Sequence, residues 1–254
     1  MASELAAAGA AHARPSRKLA YVHVPKTAGT SFTRALQEHW PRHKVYAVSG
    51  QLSELTPEEI DDLDMITGHF YAFETEAPQF EAFSRITLLR DPFERLFSSY
   101  RFARTHGEAG NSGLSRAMLY AAKVTFGEYA FSQLGSSDRH SQLFILGLNA
   151  GDMAAATPLR QLMEQAKRRF DSMLVGTVDH LPEFLEHICR RHGFDRTPPI
   201  GRYMVSKAYA LEEVGLTRLQ QAALRELQHP DYELYEYARD LMLRRIEAEQ
   251  REAA

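Results

Sequence analysis

Three groups of residues in this 254-residue chain have types and spacings suited to chemistry. The first is Lys26-Thr27-Ala28-Gly29-Thr30-Ser31, which lies between a short apolar run and the start of helical spacing. In such a turn successive backbone N–H groups converge, the dipole of the following helix favours negative charge, and Gly29 allows close approach. Lys26 adds a full positive charge, so a phosphate-like group is the natural occupant. The second group is Arg90 with Ser98, eight residues further on. Arginine offers a planar fork to phosphate oxygens, and serine a hydroxyl near a helix start. The third is His69, after Gly68; histidine is the side chain best suited near neutral pH to take a proton from a hydroxyl.

These groups need elements to hold them. Leu19–Val24 reads as a buried strand ended by Pro25, which has no N–H for a sheet ladder. Helical spacing follows from Phe32 to Trp40, and Lys44–Val48 reads as a second strand. Thr56, Pro57 and Glu59 form the start of a short helix with a capping box, leading into a strand over Asp64–Thr67. Arg85–Leu89 is a continuous apolar strand that runs into Asp91-Pro92 and helical spacing to about Thr105. Asp91, Pro92 and Arg95 are expected to serve turn geometry and a salt bridge. The segment from His106 to Ser115, rich in Gly, Asn and Ser, is expected to be an exposed loop able to gate substrate. Arg116–Leu148 reads as helical, Thr157-Pro158 opens a helix, and Met173–Thr177 is a strand candidate. Leu181–Arg191 reads as a helix closed by Gly193, Arg196–Lys207 as a loop, and the rest from Leu216 as helix turned near His229-Pro230. Strands alternating with helices predict an α/β fold of three layers, α/β/α, around a mostly parallel sheet. Ligands in such folds sit at the carboxyl ends of the strands, where Lys26, His69 and Arg90 all fall.

The order Pro-Lys-Thr-x-x-Thr-Ser is not a nucleoside-triphosphatase loop, because the lysine precedes the glycine. It resembles the 5′-phosphosulfate loop of sulfotransferases that use 3′-phosphoadenosine-5′-phosphosulfate (PAPS). HVPKTAGTSF looks most like the branch holding uronosyl 2-O-sulfotransferases and bacterial relatives, and LLRDPFERLFSSYRF resembles the family's 3′-phosphate motif. The resemblance implies a P-loop-like sulfotransferase fold, PAPS as sulfuryl donor and a reaction without a metal. It implies that Lys26 neutralises the phosphosulfate and stabilises the bridging oxygen, aided by Thr27, Ala28, Gly29, Thr30 and Ser31. Arg90 and Ser98 match the residues that hold the 3′-phosphate, and His69 matches the catalytic base. Relatives often carry a second histidine two residues earlier, where this chain has Thr67. Ser206 and Lys207 fall where the family closes a basic loop over the nucleotide. The expected acceptor is a hydroxyl on a glycan or glycoconjugate. A small alcohol or phenol, a P-loop-type kinase and a non-catalytic nucleotide- or glycan-binding module remain as alternatives.

Composition sets the outer limits. With 44% hydrophobic and 25% charged residues the chain is ordinary for a globular protein, and a single domain over residues 19–254 behind a mobile arm, 1–18, is expected. A formal net charge of −3 argues against nonspecific nucleic-acid binding. The one cysteine, Cys189, forms no intramolecular disulfide and reads as a small core residue. The N-terminus is a poor secretion signal and no stretch has the length of a membrane span, so a cytoplasmic protein is expected. A homo-oligomer is left open. His39 and His43 read as solvated, Asp138–Gln142 as a helix cap near the acceptor, and Tyr232, Tyr235 and Tyr237 as packing of the last helix.

Overall fold

Among the described residues five short strands form one sheet, and all of them run parallel. The computed structural model describes residues 18–46, 50–107, 115–152, 156–201 and 215–252. The strands are β1 (Lys18–Val22), β2 (His43–Tyr46), β3 (Met65–Gly68), β4 (Phe83–Leu89) and β5 (Met173–Thr177), in the order β2-β3-β1-β4-β5. β1 and β3 are buried along their lengths, apart from half-buried Lys18, as apolar runs in a sheet covered on both faces should be. β1 lies between β3 and β4, with Val22 in register with Gly68 on one side and Thr87 on the other. The chain thus leaves β1 toward one edge and later returns to its other side. That is the topological switch point at which α/β sheets bind ligands.

Helices fill the two faces: α1 (Gly29–Gln37), α2 (Pro57–Asp62), α3 (Pro92–Gly107), α4 (Arg116–Ala121), α5 (Phe126–Phe131), α6 (Gln133–Arg139), α7 (Ser141–Gly147), α8 (Leu159–Phe170), α9 (Leu181–Arg191), α10 (Arg218–Leu227) and α11 (His229–Glu252). One core packs Val22, Ile66 and Val175 against Leu162, Phe170 and Leu234. The opposite core sets Tyr21, Ile86 and Leu88 against Phe32, Phe184 and Ile188. The sheet therefore has a helical layer on each side, the expected three-layer α/β/α architecture. Among the described residues no helix is long and apolar enough to cross a membrane.

Some boundaries move. β1 ends at Val22, two residues before the expected Val24, and α1 begins at Gly29 instead of Phe32. The expected helical stretch Arg116–Leu148 is four short helices, because Thr125 and Ser132 accept hydrogen bonds from the N–H groups of Glu128 and Gly135 and start new helices. His39 and His43 are not simply solvated. His39 stacks on Phe194 at 4.1 Å with its Nε2 2.8 Å from the Arg196 carbonyl, and His43 sits 2.8 Å from Gln37. Cys189 is buried as expected, and the capping box at Thr56 and Glu59 forms. Ser206, Lys207 and most of the His106–Ser115 loop lie outside the described residues.

Candidate active site

The turn after β1 takes a shape that suits an anion-binding loop. Lys26 and Ala28 both adopt positive φ, 71° and 60°, a conformation that side chains with a Cβ rarely enter. Alternating hand along the chain turns successive N–H groups inward. Ala28 is the N-cap of α1 and supplies no side-chain acceptor, so the helix opens without a side-chain cap over its first N–H groups. Thr27 is fully buried and donates its hydroxyl to the Val24 carbonyl at 2.8 Å, so it shapes the loop from beneath. Thr30 is exposed and Ser31 half-buried on the first turn of α1.

Lys26 carries the charge of this loop. Its ammonium lies 4.2 Å from the ring centre of Phe102 on α3. Burial, then the positive charges of Arg90 and Arg95, lower its pKa from the ordinary lysine value, against a smaller opposing effect of Asp138.

Arg90 follows β4 and reaches the same loop, with Nη1 3.5 Å from the Lys26 carbonyl. Gln142 accepts the Arg90 backbone N–H at 2.9 Å and fixes the strand end. The guanidinium meets Glu94 Oε2 through Nε at 3.2 Å and Nη2 at 3.0 Å. An anionic oxygen thus already occupies the arginine's fork. Asp91 caps α3 by accepting the Glu94 N–H at 3.0 Å, and Arg95 pairs with Asp138 at 3.0 Å, as the sequence led one to expect for both. Ser98 is 4% exposed on the second turn of α3 and makes no hydrogen bond with Arg90 among the described residues.

His69 follows β3, beside the loop and exposed. Its Nδ1 lies 2.8 Å from the His23 carbonyl. A carbonyl only accepts, so Nδ1 carries the proton and Nε2 presents a lone pair. The neighbour was not foreseen: the His23 ring lies 4.5 Å from His69 and stacks on Tyr21 at 5.3 Å. Burial, with the nearby charges of His69 and Lys26, lowers the His23 pKa to about 3, so this ring is neutral. Gly29 makes room for it, since a Cβ at position 29 would stand 1.7 Å from His23 Nε2. Thr67, where relatives often have their second histidine, is 1% exposed inside the sheet. The imidazole beside His69 comes instead from the residue that follows β1. The register of Val22 with Gly68 was the signal that could have found it.

Asp138–Gln142 is less a cap than a buried brace. Asp138 also accepts the Tyr129 hydroxyl at 2.8 Å, and His140 Nδ1 lies 2.5 Å from Asp231 Oδ2 on α11. His140 is the N-cap residue of α7 but makes no side-chain cap.

Among known proteins, a search of curated sequences returns no match. A family model described as "Sulfotransferase family" matches residues 12–238, most of the chain and both anion-directed motifs. With that coverage, and a parallel sheet whose anion loop, histidine and arginine share one end, the chain belongs to the sulfotransferase family.

Proposed function

We propose that this sulfotransferase takes PAPS as donor and passes the sulfuryl group to a hydroxyl of a glycan or glycoconjugate, with His69 as base. The observation that carries the reading is the His69 Nδ1 contact with the His23 carbonyl, which frees Nε2 as an acceptor next to the Lys26 loop. The residues present fit the donor: the loop with two positive-φ residues suits a 5′-phosphosulfate, and the arginine fork already holding a carboxylate suits a 3′-phosphate. When bound, PAPS supplies an activated sulfuryl group on a good leaving group. Lys26 and the first N–H groups of α1 stabilise charge on the 5′ side. Arg90, at an adjacent strand end, binds the 3′ side, with Ser98 behind it. His69 Nε2 holds the acceptor hydroxyl and removes its proton as the oxygen attacks.

The test is turnover with radiolabelled PAPS over a panel of glycans, simple alcohols and phenols. Transfer to a glycan that fails with His69→Ala supports the reading. Transfer to phenols alone would replace the acceptor, and binding without any turnover would leave only a binding module.

A further inference from the structure

A polar cavity of about 300 Å³ opens at the amino ends of β4 and β5, away from the strand ends that carry Lys26, His69 and Arg90. Arg85 lies two residues into β4 and Arg90 five residues beyond it, so the two are separated by about 16 Å of strand. Three arginines, Arg85, Arg168 and Arg169, line the cavity against one carboxylate, Glu76. Arg169 is committed to structure, bonding Glu76 at 2.8 Å, the Leu146 carbonyl at 2.8 Å and Asn149 at 2.8 Å. Arg85 gives one N–H to Ser172 at 3.0 Å and pairs with Glu76 Oε1 at 3.8 Å, sharing that carboxylate with Arg169. Arg168 is exposed, and its side chain makes no hydrogen bond or ion pair with a described residue.

A second observation is independent of charge. Gln165 is 7% exposed, lines the same cavity, and its Oε1 has no hydrogen-bond partner. A buried amide end without a partner is costly, and such an atom in a native fold asks for an explanation. The Gln165 side chain lines the cavity wall, where a bound molecule would meet the amide. A further hollow of about 550 Å³ shares Glu76, Arg85 and Ser172. It adds the carboxylate of Glu81, the hydroxyl of Ser84 and the ring carbons of Pro78.

We propose that this groove is a second binding site, for a saccharide carrying an anionic group such as a uronate. The anion faces Arg168 and Arg85, and the sugar hydroxyls donate to Gln165, Glu76 and Glu81. A bare oxyanion fits worse, because it brings no O–H donor to the orphan amide oxygen and meets two carboxylates. A neutral sugar leaves Arg168 unused. The inference does not depend on the donor reading.

Calorimetry on the full chain tests it with trigalacturonate, using maltotriose as the uncharged probe and inorganic sulfate as the sugar-free one. Trigalacturonate is expected to bind, and Arg168→Ala to weaken it about ten-fold or more, the scale of one lost charged hydrogen bond. Gln165→Leu is expected to weaken it as well. Arg168 is exposed, so its variant should keep the wild-type melting curve and an unchanged affinity for adenosine 3′,5′-bisphosphate. Lys26→Ala should leave trigalacturonate binding intact. No binding by the wild type, or equal binding by Arg168→Ala, overturns the site. Loss with Lys26→Ala would place the sugar at the transfer centre and overturn it too. Sulfate binding as tightly, with the same dependence on Arg168, would leave a plain anion site and overturn the saccharide. Failure of the bisphosphate to bind would count against the donor reading alone.

Discussion

A histidine makes a useful base when one ring nitrogen is committed and the other is free. His69 meets that condition through a single backbone carbonyl, that of His23. His69→Ala should therefore lower kcat by about 10²–10⁴-fold, the usual worth of a positioned base. The Kd for adenosine 3′,5′-bisphosphate should not move, because among the described residues the ring makes its hydrogen bond and ring contact with His23 and not with the arginine motif. Equal kcat in the variant would remove His69 from the chemistry. His23 makes a different prediction. Its pKa falls from 6.5 to about 3 on folding, chiefly through burial, so between those values the unfolded chain binds a proton that the folded chain refuses. Stability from this residue is intact above pH 6.5 and declines as pH falls toward 3, by up to about 1.4 kcal/mol per pH unit. Urea unfolding of the wild type should thus weaken more steeply toward acid than that of His23→Gln, and parallel slopes would contradict it. His187 is also depressed by burial and acts with the same sign, so the difference between the two proteins isolates His23. That Lys26, Arg90 and His69 share one end of the sheet was legible in the sequence, because each follows a readable strand. His23 was not, since its partner stands 46 residues away and only the pairing of β1 with β3 joins them.

At the scale of elements, the proposed 3′-phosphate site lies where β4 passes into the first turn of α3. Adenosine 3′,5′-bisphosphate should bind more tightly than 5′-AMP, because Arg90 gains a 3′-phosphate with charge-assisted bonds worth about 1.5–3 kcal/mol each. Calorimetry showing equal affinities would dissociate this motif from the 3′ side. The same turn holds a competitor. Glu94, one helical turn after Arg90, is 50% exposed at its side chain and occupies the guanidinium. Its pairing with Arg90 is a surface ion pair worth about 0.2–1 kcal/mol, so Glu94→Gln should tighten bisphosphate binding by up to about five-fold. Weaker binding would mean that Glu94 orients Arg90 instead of opposing the ligand. The elements themselves were read well where local chemistry is decisive: apolar runs gave the strands, and Thr56-Pro57-x-Glu59 gave a helix start. The helical reading of Arg116–Leu148 holds, but its breaks were not legible, because apolar spacing runs on without interruption. One break comes from Ser132 capping Gly135, a glycine whose Cβ would strike the Tyr129 carbonyl at 2.2 Å. That clash exists only after α5 and α6 have packed.

Across the whole molecule, the parallel sheet brings the site to one end, and the C-terminal helix closes the structure behind it. α11 packs its Leu234, Tyr235 and Ala238 into the same core as Phe170 and Val175. Its first turn also sends Asp231, fully buried, to His140, a partner 91 residues earlier. No local pattern announces such a pair, whereas the amphipathic faces of the helices do announce their own burial. The pair matters to the site because His140 is two residues from Gln142, which fixes the Arg90 backbone. Asp231→Ala leaves a buried Nδ1–H without its acceptor and should cost about 3 kcal/mol of folding stability. Urea midpoints should fall accordingly, and bisphosphate affinity should weaken modestly below the transition as Gln142 loosens. His140→Ala should cost a similar amount, because it strands the carboxylate. The double variant decides whether the two act as one unit. If they do, its loss should be clearly smaller than the sum of the single losses, since the second substitution removes a group that the first had already orphaned. Strict additivity would mean that each residue is held by its own surroundings, and that α11 supports the arginine motif by packing alone.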